Sequence, residues 1–369
     1  MQVTVSKSHL LKELSLAMGA VERRSTIPIL GNVRLEARAN GTLELAATDL
    51  AIGLRSQCPA QVKEPGITTI PAKRLLDYVR LLPDGDITLK ADEQFWTTVT
   101  VGRCRTRIAG MSPESFPELP PAPAPTCELP PVALQALIER TSFAISATES
   151  RFTINGALLE ISPTGYRMVA TDGHRMAVAD SPATFDGDRF KCLVPHRAMD
   201  EILTLVKEAG EDSAISFSSD DNHLFFALGS RVLIARKLAG NFPDYGRVLP
   251  QKFESTAVAD RAELQAALSR AKVCADGQTN SVCLGFASGQ LTITAETFEA
   301  GESEEAVPIE YSGCSVQIGF NATYLLEFLR AVGSEKVCVG LNGAFGAAQF
   351  APVLESPDGY KYVVMPMRI

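Results

Sequence analysis

The chain has 369 residues, 46% hydrophobic and 21% charged, which suits a globular protein of two or three domains. No apolar run approaches the roughly 18 residues of a membrane span, and the opening MQVTVSKSHLLKEL lacks a charged-then-apolar leader, so a membrane protein and a secreted one are both set aside. A net charge of −8 excludes a uniformly basic nucleic-acid binder.

The first predicted element is a helix from Ser6, SKSHLLKELSLAM, with Leu10 on its apolar stripe. Strand patterning follows in GTLELAATDLAIGLR from Gly41, which opens at a glycine turn and alternates apolar with polar residues. A second helix, PAKRLLDYVRLL, starts at Pro71, where a missing N–H costs nothing in the first turn. The strand GRCRTRIAG then sets Arg103, Arg105 and Arg107 on alternate positions, with Cys104, Thr106 and Ile108 on the opposite side. A Pro-rich connection, MSPESFPELPPAPAPTCELPP over residues 111–131, is predicted to be extended.

After this connection the order repeats. Helices are predicted from Pro130 (PPVALQALIERT) and Pro195 (PHRAMDEILTLV), with the strand segment GYRMVATDGHRMAVAD from Gly165 between them. A third round has helices from Asp260 (DRAELQAALSRA) and from the N-cap candidate Asn321 (NATYLLEFLRAV), with GQLTITAETFEAGESEE from Gly289. Leu10, Leu134 and Leu264 hold similar places, and Pro71, Pro195 and Asn321 lie 124 and 126 residues apart. The Thr48-Asp49 and Thr171-Asp172 pairs are expected to recur as Ala295-Glu296. Phe116-Pro117-Glu118 recurs as Phe242-Pro243-Asp244. Units this long are no solenoid repeats; they read as three similar α+β domains at 1–125, 126–251 and 252–369. Their net charges are +2, −4 and −6.

The eight cysteines form no C-x-x-C pair and read as reduced thiols of a cytoplasmic protein rather than as disulfides or zinc ligands. Asp172 and His174 share a strand face, but the four histidines form no metal-binding spacing. Neither a phosphate loop nor a G-x-S-x-G elbow occurs. No catalytic residue, metal or cofactor is therefore expected.

Five motifs, in order, carry a resemblance over the whole length: IPILGN at 27–32, ATDGHRMAV at 170–178, FPDYGRVLP at 242–250, GFNATYL at 319–325 and YVVMPMRI at 362–369. With the three-fold repeat, the chain resembles the bacterial β sliding clamp family, the β subunits of DNA polymerase III. The resemblance implies an α+β clamp fold, three domains of two helices and antiparallel sheets each, and a head-to-tail homodimer closed as a six-domain ring. It implies a non-catalytic processivity factor that encircles duplex DNA without reading sequence. Implied partners are the polymerase α subunit, the clamp-loader δ subunit, and other polymerases and repair proteins, held through a peptide groove. The competing reading is an oligomeric peptide-binding scaffold that never encircles DNA.

Carried over residue by residue, the groove comprises Arg151, Ile154, Thr171, Gly173, His174, Arg175, Met176, Pro243, Arg247, Val248, Asn321, Tyr324 and the terminal Val364, Met365, Pro366, Met367, Arg368 and Ile369. Flexible methionines suit a surface that repacks around several ligands. Gly246, Thr153, Met176 and Ile369 depart from the family pattern and put peptide preference in question. Candidate DNA contacts are Arg24, Lys73, Arg74, Arg80, Arg140, Arg197 and Lys207, each of which also fits a solvated helix charge. Arg103, Arg105, Arg107 and Ile108 on one edge, and Glu296, Glu299, Glu302 and Glu304 on another, are the candidate dimer contacts. Edges of opposite sign in one chain suit a heterologous interface.

Overall fold

The computed structural model describes residues 1–22, 26–147, 152–183, 189–210, 213–298, 300–355 and 359–368. Arg24, Arg151, Glu299 and Ile369 lie outside the described residues. Six α-helices are described: α1 (Lys7–Ala17), α2 (Ala72–Leu81), α3 (Pro131–Thr141), α4 (His196–Val206), α5 (Arg261–Ala271) and α6 (Ala322–Ala331). The order is strand, helix, four or five strands, helix, three strands, three times over.

The helices start where local chemistry caps them. Ser6 Oγ accepts from His9 N, Asp260 from Glu263 N, and Asn321 Oδ1 from Thr323 N and Tyr324 N. Pro71 is the N-cap of α2 and Pro195 ends the strand before α4, each one residue earlier than the first helical turn expected of it. Leu75, Leu76 and Val79 form the buried stripe of α2; Met199, Ile202, Leu205 and Val206 form that of α4.

The strands form three antiparallel sheets. The first runs Gln61–Glu64, Gln2–Ser6, Asp86–Ala91, Trp96–Val101, Cys104–Ala109. The second runs Cys127–Leu129, Ile215–Ser219, His223–Leu228, Arg231–Arg236, Ile52–Pro59, Thr42–Thr48, Asn32–Arg38, Gly66–Pro71. The third begins Phe190–Pro195, Gly156–Ser162, Gly165–Thr171, Arg175–Pro182, Lys361–Val364, Ala348–Pro352, Lys336–Leu341. It ends Ser255–Asp260, Gly301–Ser312, Gln290–Thr297, Ser281–Ala287, Val316–Asn321.

Two of these sheets cross repeat boundaries, and they do so in the same register. Val232 lies opposite Arg55 and Ala235 opposite Ile52; Lys361 lies opposite Val178 and Val364 opposite Arg175. The packed units are consequently not the sequence repeats. One comprises Met1–Leu134 with Arg197–Lys237, the other Gln135–His196 with Leu238–Ile369. In the first, Arg231 grips the buried Glu13 of α1 through bonds of 2.6 and 3.0 Å. In the second, Phe328 of α6 stacks on Tyr362 at 5.1 Å, and Phe143 meets Tyr362 at a tilt with ring centres 5.5 Å apart.

Strand register corrects one equivalence. Thr48 pairs with Gly53, Thr171 with Met176, and Glu296 with Glu302. The third counterpart of Thr-Asp is Glu296-Thr297, one residue beyond the expected Ala295-Glu296. Ala295 is buried, like Ala47 and Ala170 before the earlier pairs, so the core-facing alternation fixes the alignment.

Candidate functional site

The turn at Thr171–Met176 is built by its own side chains. Thr171 donates from Oγ1 to the Arg175 carbonyl at 2.6 Å and accepts from Gly173 N at 3.1 Å. Asp172 Oδ1 accepts from His174 N and Arg175 N at 2.9 and 3.0 Å. Gly173 takes φ +92°, a conformation that disfavours a side chain.

Arg175 is buried and its donors are spent inside the chain. It reaches Asp172 at 3.0 Å, the Phe143 carbonyl at 2.5 Å and the Glu327 carboxylate, and lies 4.2 Å from the centre of the Tyr324 ring. Burial opposes its charge, but Tyr362 and Glu327 outweigh burial and raise its pKa. Arg175, named for the groove by the resemblance, is the post that holds the turn. Asn321 is likewise committed, capping α6 and donating to Thr279 O at 2.9 Å. Tyr324 is half-buried beneath Arg175, and its carbonyl accepts from Tyr362 Oη at 3.0 Å.

On the opposite face of the same sheet lies an apolar floor. Leu158, Val169, Met176, Val178, Leu193 and Val363 are buried together, with Phe242, Tyr245, Leu249, Leu238 and Ala347 packed partly over them. Of the predicted residues, Met176 belongs to this floor. Val364 does not: it pairs with Arg175 and is fully buried on the core side, so its neighbour Val363 takes the expected place. Ile154 is 9% exposed, and its carbonyl accepts from Ser146 N at 3.0 Å.

His174, Pro243, Arg247, Val248, Met365 and Arg368 are exposed, and Pro366 and Met367 are half-buried. Arg247 pairs with Asp244 at 2.9 Å. The terminal segment is held at two points: Met365 N donates to His174 O at 2.9 Å and Met367 N to Gly319 O at 2.8 Å. A groove of apolar floor, methionine rim and pinned terminus can take the side chains of an extended peptide. Leu158, Val178, Leu193 and Phe242 were missed. For Leu158, Val178 and Leu193 the signal was available: they are the outward alternate positions of strands whose inward positions are also apolar, whereas Phe242 lies in the connection after Arg236.

The cations divide in two. Lys73, Arg74, Arg80 and Lys207 are exposed, with Lys73 paired to Asp77 at 2.5 Å one turn along α2. Arg140 lies over the Tyr360 ring at 5.2 Å, and Arg197 pairs with the buried Asp49 carboxylate, so both are engaged within the chain.

The charged edges separate cleanly. Arg103, Arg105 and Arg107 are exposed on or beside Cys104–Ala109, a strand that among the described residues pairs only with Trp96–Val101. Arg107 also meets Asp92 at 2.6 Å and lies over Trp96 at 4.7 Å. Ile108, expected at the interface, is 2% exposed and belongs to the core side of this strand. Glu296, Glu302 and Glu304 are exposed, and Gly301–Ser312 pairs with Gln290–Thr297 as far as Pro308 and with Ser255–Asp260 from Ile309 onward, so among the described residues its second edge is unpaired over Gly301–Pro308. Glu305, on the inward alternation, is taken by Arg270 at 2.5 Å.

Three family models match consecutive stretches: the DNA polymerase III beta subunit N-terminal domain over residues 1–120, its central domain over 128–244 and its C-terminal domain over 246–368. The chain is 36% identical to the beta sliding clamp of Pseudomonas putida and 33% identical to that of Escherichia coli, over 100% of both chains in each case. It superposes on the DNA polymerase III subunit beta of Pseudomonas aeruginosa with a TM-score of 0.94 at 34% identity, covering 100% of both chains. A structure of that clamp bound to griselimycin matches with a TM-score of 0.93, also over 100% of both chains.

Proposed function

The chain belongs to the bacterial β sliding clamp family, the non-catalytic β subunits of DNA polymerase III, and on that premise we propose how its own residues close the ring, hold DNA and recruit partners. Its three domains lie near 1–125, 126–251 and 252–369. Two copies join head to tail through the strand edges that each leaves unpaired.

The observation that carries this reading is the repeated register. Hairpin turns align Val232, Leu233, Ile234 and Ala235 with Arg105, Thr106, Arg107 and Ile108. Sheet pairing aligns Gly53, Leu54 and Arg55 with Glu302, Ser303 and Glu304. Since Val232 meets Arg55 and Ile234 meets Gly53, the same junction between two copies sets Arg105 opposite Glu304 and Arg107 opposite Glu302. Opposite charges at directly paired strand positions favour that register over its slips. Arg103 and Glu296 flank the joint.

Retention by enclosure asks little of DNA affinity, so an acidic chain can slide. Lys73, Arg74, Arg80 and Lys207 supply weak, salt-sensitive phosphate contacts. Arg197 and Arg140 serve first as structural cations. The groove takes a short peptide from the polymerase α subunit, the loader δ subunit or a repair protein.

The test is topological. The protein is loaded with a clamp loader and ATP onto nicked circular DNA, freed of excess by gel filtration, and the circle is then cut once. Co-elution with the circle and loss on cutting is the expected result. Equal retention on cut and uncut DNA overturns the clamp reading. No retention, where a control clamp loads, favours the scaffold. Arg105→Glu is expected to yield monomers by light scattering, and adding Glu304→Arg to restore the dimer.

A further inference from the structure

The outer face of the central repeat's sheet carries more than an apolar floor. Alternate residues of a strand share a face, so paired positions fall into rows. One row is Leu193, Leu158, Val169, Val178 and Lys361. The next is Lys191, Glu160, Arg167 and Asp180. Two residues of strand, about 7 Å, separate the rows.

The second row is a ladder of alternating sign that neutralises itself. Lys191 meets Glu160 at 2.5 Å, and Arg167 holds Asp180 through bonds of 2.5 and 2.8 Å. Tyr245, from the connection that also roofs the apolar floor, donates to Glu160 at 2.8 Å. Above the ladder opens a cleft of about 630 Å³, lined also by Arg189 and Lys361. Those two are exposed and have no ion-pair partner among the described residues, so they are its surplus charge. Lys361 is the one charged member of the apolar row. It stands beside Val178, where floor and cleft meet. Gly359 keeps the cleft open behind Asp180: a Cβ there would lie 2.5 Å from the Asp180 carboxylate.

We propose that this cleft extends the peptide groove, and that Lys361 selects partner peptides with an acidic residue two or three positions outside their apolar anchor. The inference rests on the groove reading above and adds a second contact to it. An extended peptide advances about 3.3 Å per residue, so a strand leaving the floor over Val178 brings its second or third residue to the cleft. A carboxylate arriving there meets cations already freed of partners. A basic or neutral residue gains nothing from them.

The probe is a fluorescein-labelled Ser-Leu-Ser-Leu-Phe core, read by anisotropy on the full chain. It is compared with versions carrying Gly-Asp-Asp at either end and with matched Gly-Ser-Ser controls. One acidic version is expected to bind about fivefold tighter than its control at low salt, with the gain lost at high salt. Lys361→Glu is expected to abolish that gain, to favour a Gly-Lys-Lys version instead, and to leave affinity for the core itself within about twofold. No gain from either acidic extension, or a gain that survives Lys361→Glu, overturns the proposal while leaving the groove in place. A core that fails to bind at all removes the groove reading, and the extension with it.

Discussion

The first and central repeats build the same turn and then use the face beside it in opposite ways. Thr48 and Asp49 organise their turn as Thr171 and Asp172 do: threonine Oγ1 donates to the carbonyl four residues on, and aspartate Oδ1 accepts two backbone N–H groups. Beside it, the row Leu193, Leu158, Val169, Val178 has as its counterpart Thr69, Arg34, Ala46, Arg55. In the first repeat Arg55 donates to the carbonyls of Leu119 and Pro120 and fastens the connection down. Gly53 stands where Met176 does, and a Cβ on it would lie 2.6 Å from Leu119. One face is crossed by its own connection beside a cleft of about 510 Å³ lined by Arg34, Ala46 and Arg55; the other keeps an apolar floor. Turn chemistry is thus shared scaffold, and four side chains in one row make the two faces chemically different.

The largest expected effect sets the two turns' cations against each other. Arg175 is buried among Asp172, Glu327 and Phe143, whereas Arg197 is half exposed and, among the described carboxylates, pairs with Asp49 alone. Removing one partner of a buried pair costs about 3–5 kcal/mol, so Arg175→Ala is expected to lower the unfolding free energy most. Arg197→Ala leaves one buried Asp49 oxygen without its partner and is expected to cost about 1–3 kcal/mol. Chemical denaturation measures both. Equal losses would mean that burial of the cation does not distinguish the turns.

Next comes the row. Val178→Arg places in the central repeat the residue that Arg55 is in the first. The expected result is at least about a tenfold loss of affinity for the core peptide, about 1.4 kcal/mol. Unchanged affinity in a folded variant would show that this floor is not where the peptide lies.

Much of this was legible in the sequence, for physical reasons. The helices announced themselves by 3.6-residue periodicity, and the repeat by spacing. The alternation of Arg103, Arg105 and Arg107 reported an exposed strand face before any coordinates. What failed was one-residue phase. Val363 and Val364 are both valine in a run apolar on both faces; the resemblance names Val364 for the groove, while the sheet turns Val363 onto the apolar floor. Glu296 was aligned with aspartate because the third repeat's turn is longer. Pairing fixes phase, and a single strand read alone does not contain its partner. Arg175 and Asn321 also spend hydrogen bonds on residues far away in sequence, Glu327 and Thr279, which no local pattern shows.

The smallest effect tests the face of the first repeat. Arg55 is half-buried, and only its two bonds to the Leu119 and Pro120 carbonyls tie it to the connection. Phe116 is buried independently against Ile29, Leu30 and Ala46, so the connection keeps an anchor without Arg55. Arg55→Val is therefore expected to cost only about 1 kcal/mol while loosening the chain that follows Phe116. Limited proteolysis reads this directly: cleavage after residue 118 should accelerate, with the rest of the digest unchanged. The substitution also restores to the first repeat an apolar residue at Val178's position. If Arg55 is what keeps this face closed, the core peptide should acquire a weak second site on the variant, visible as a stoichiometry above one per chain. If the stoichiometry stays at one while cleavage rises, Leu119 over Gly53 is the seal, and the row differs from its central counterpart by packing before it differs by charge.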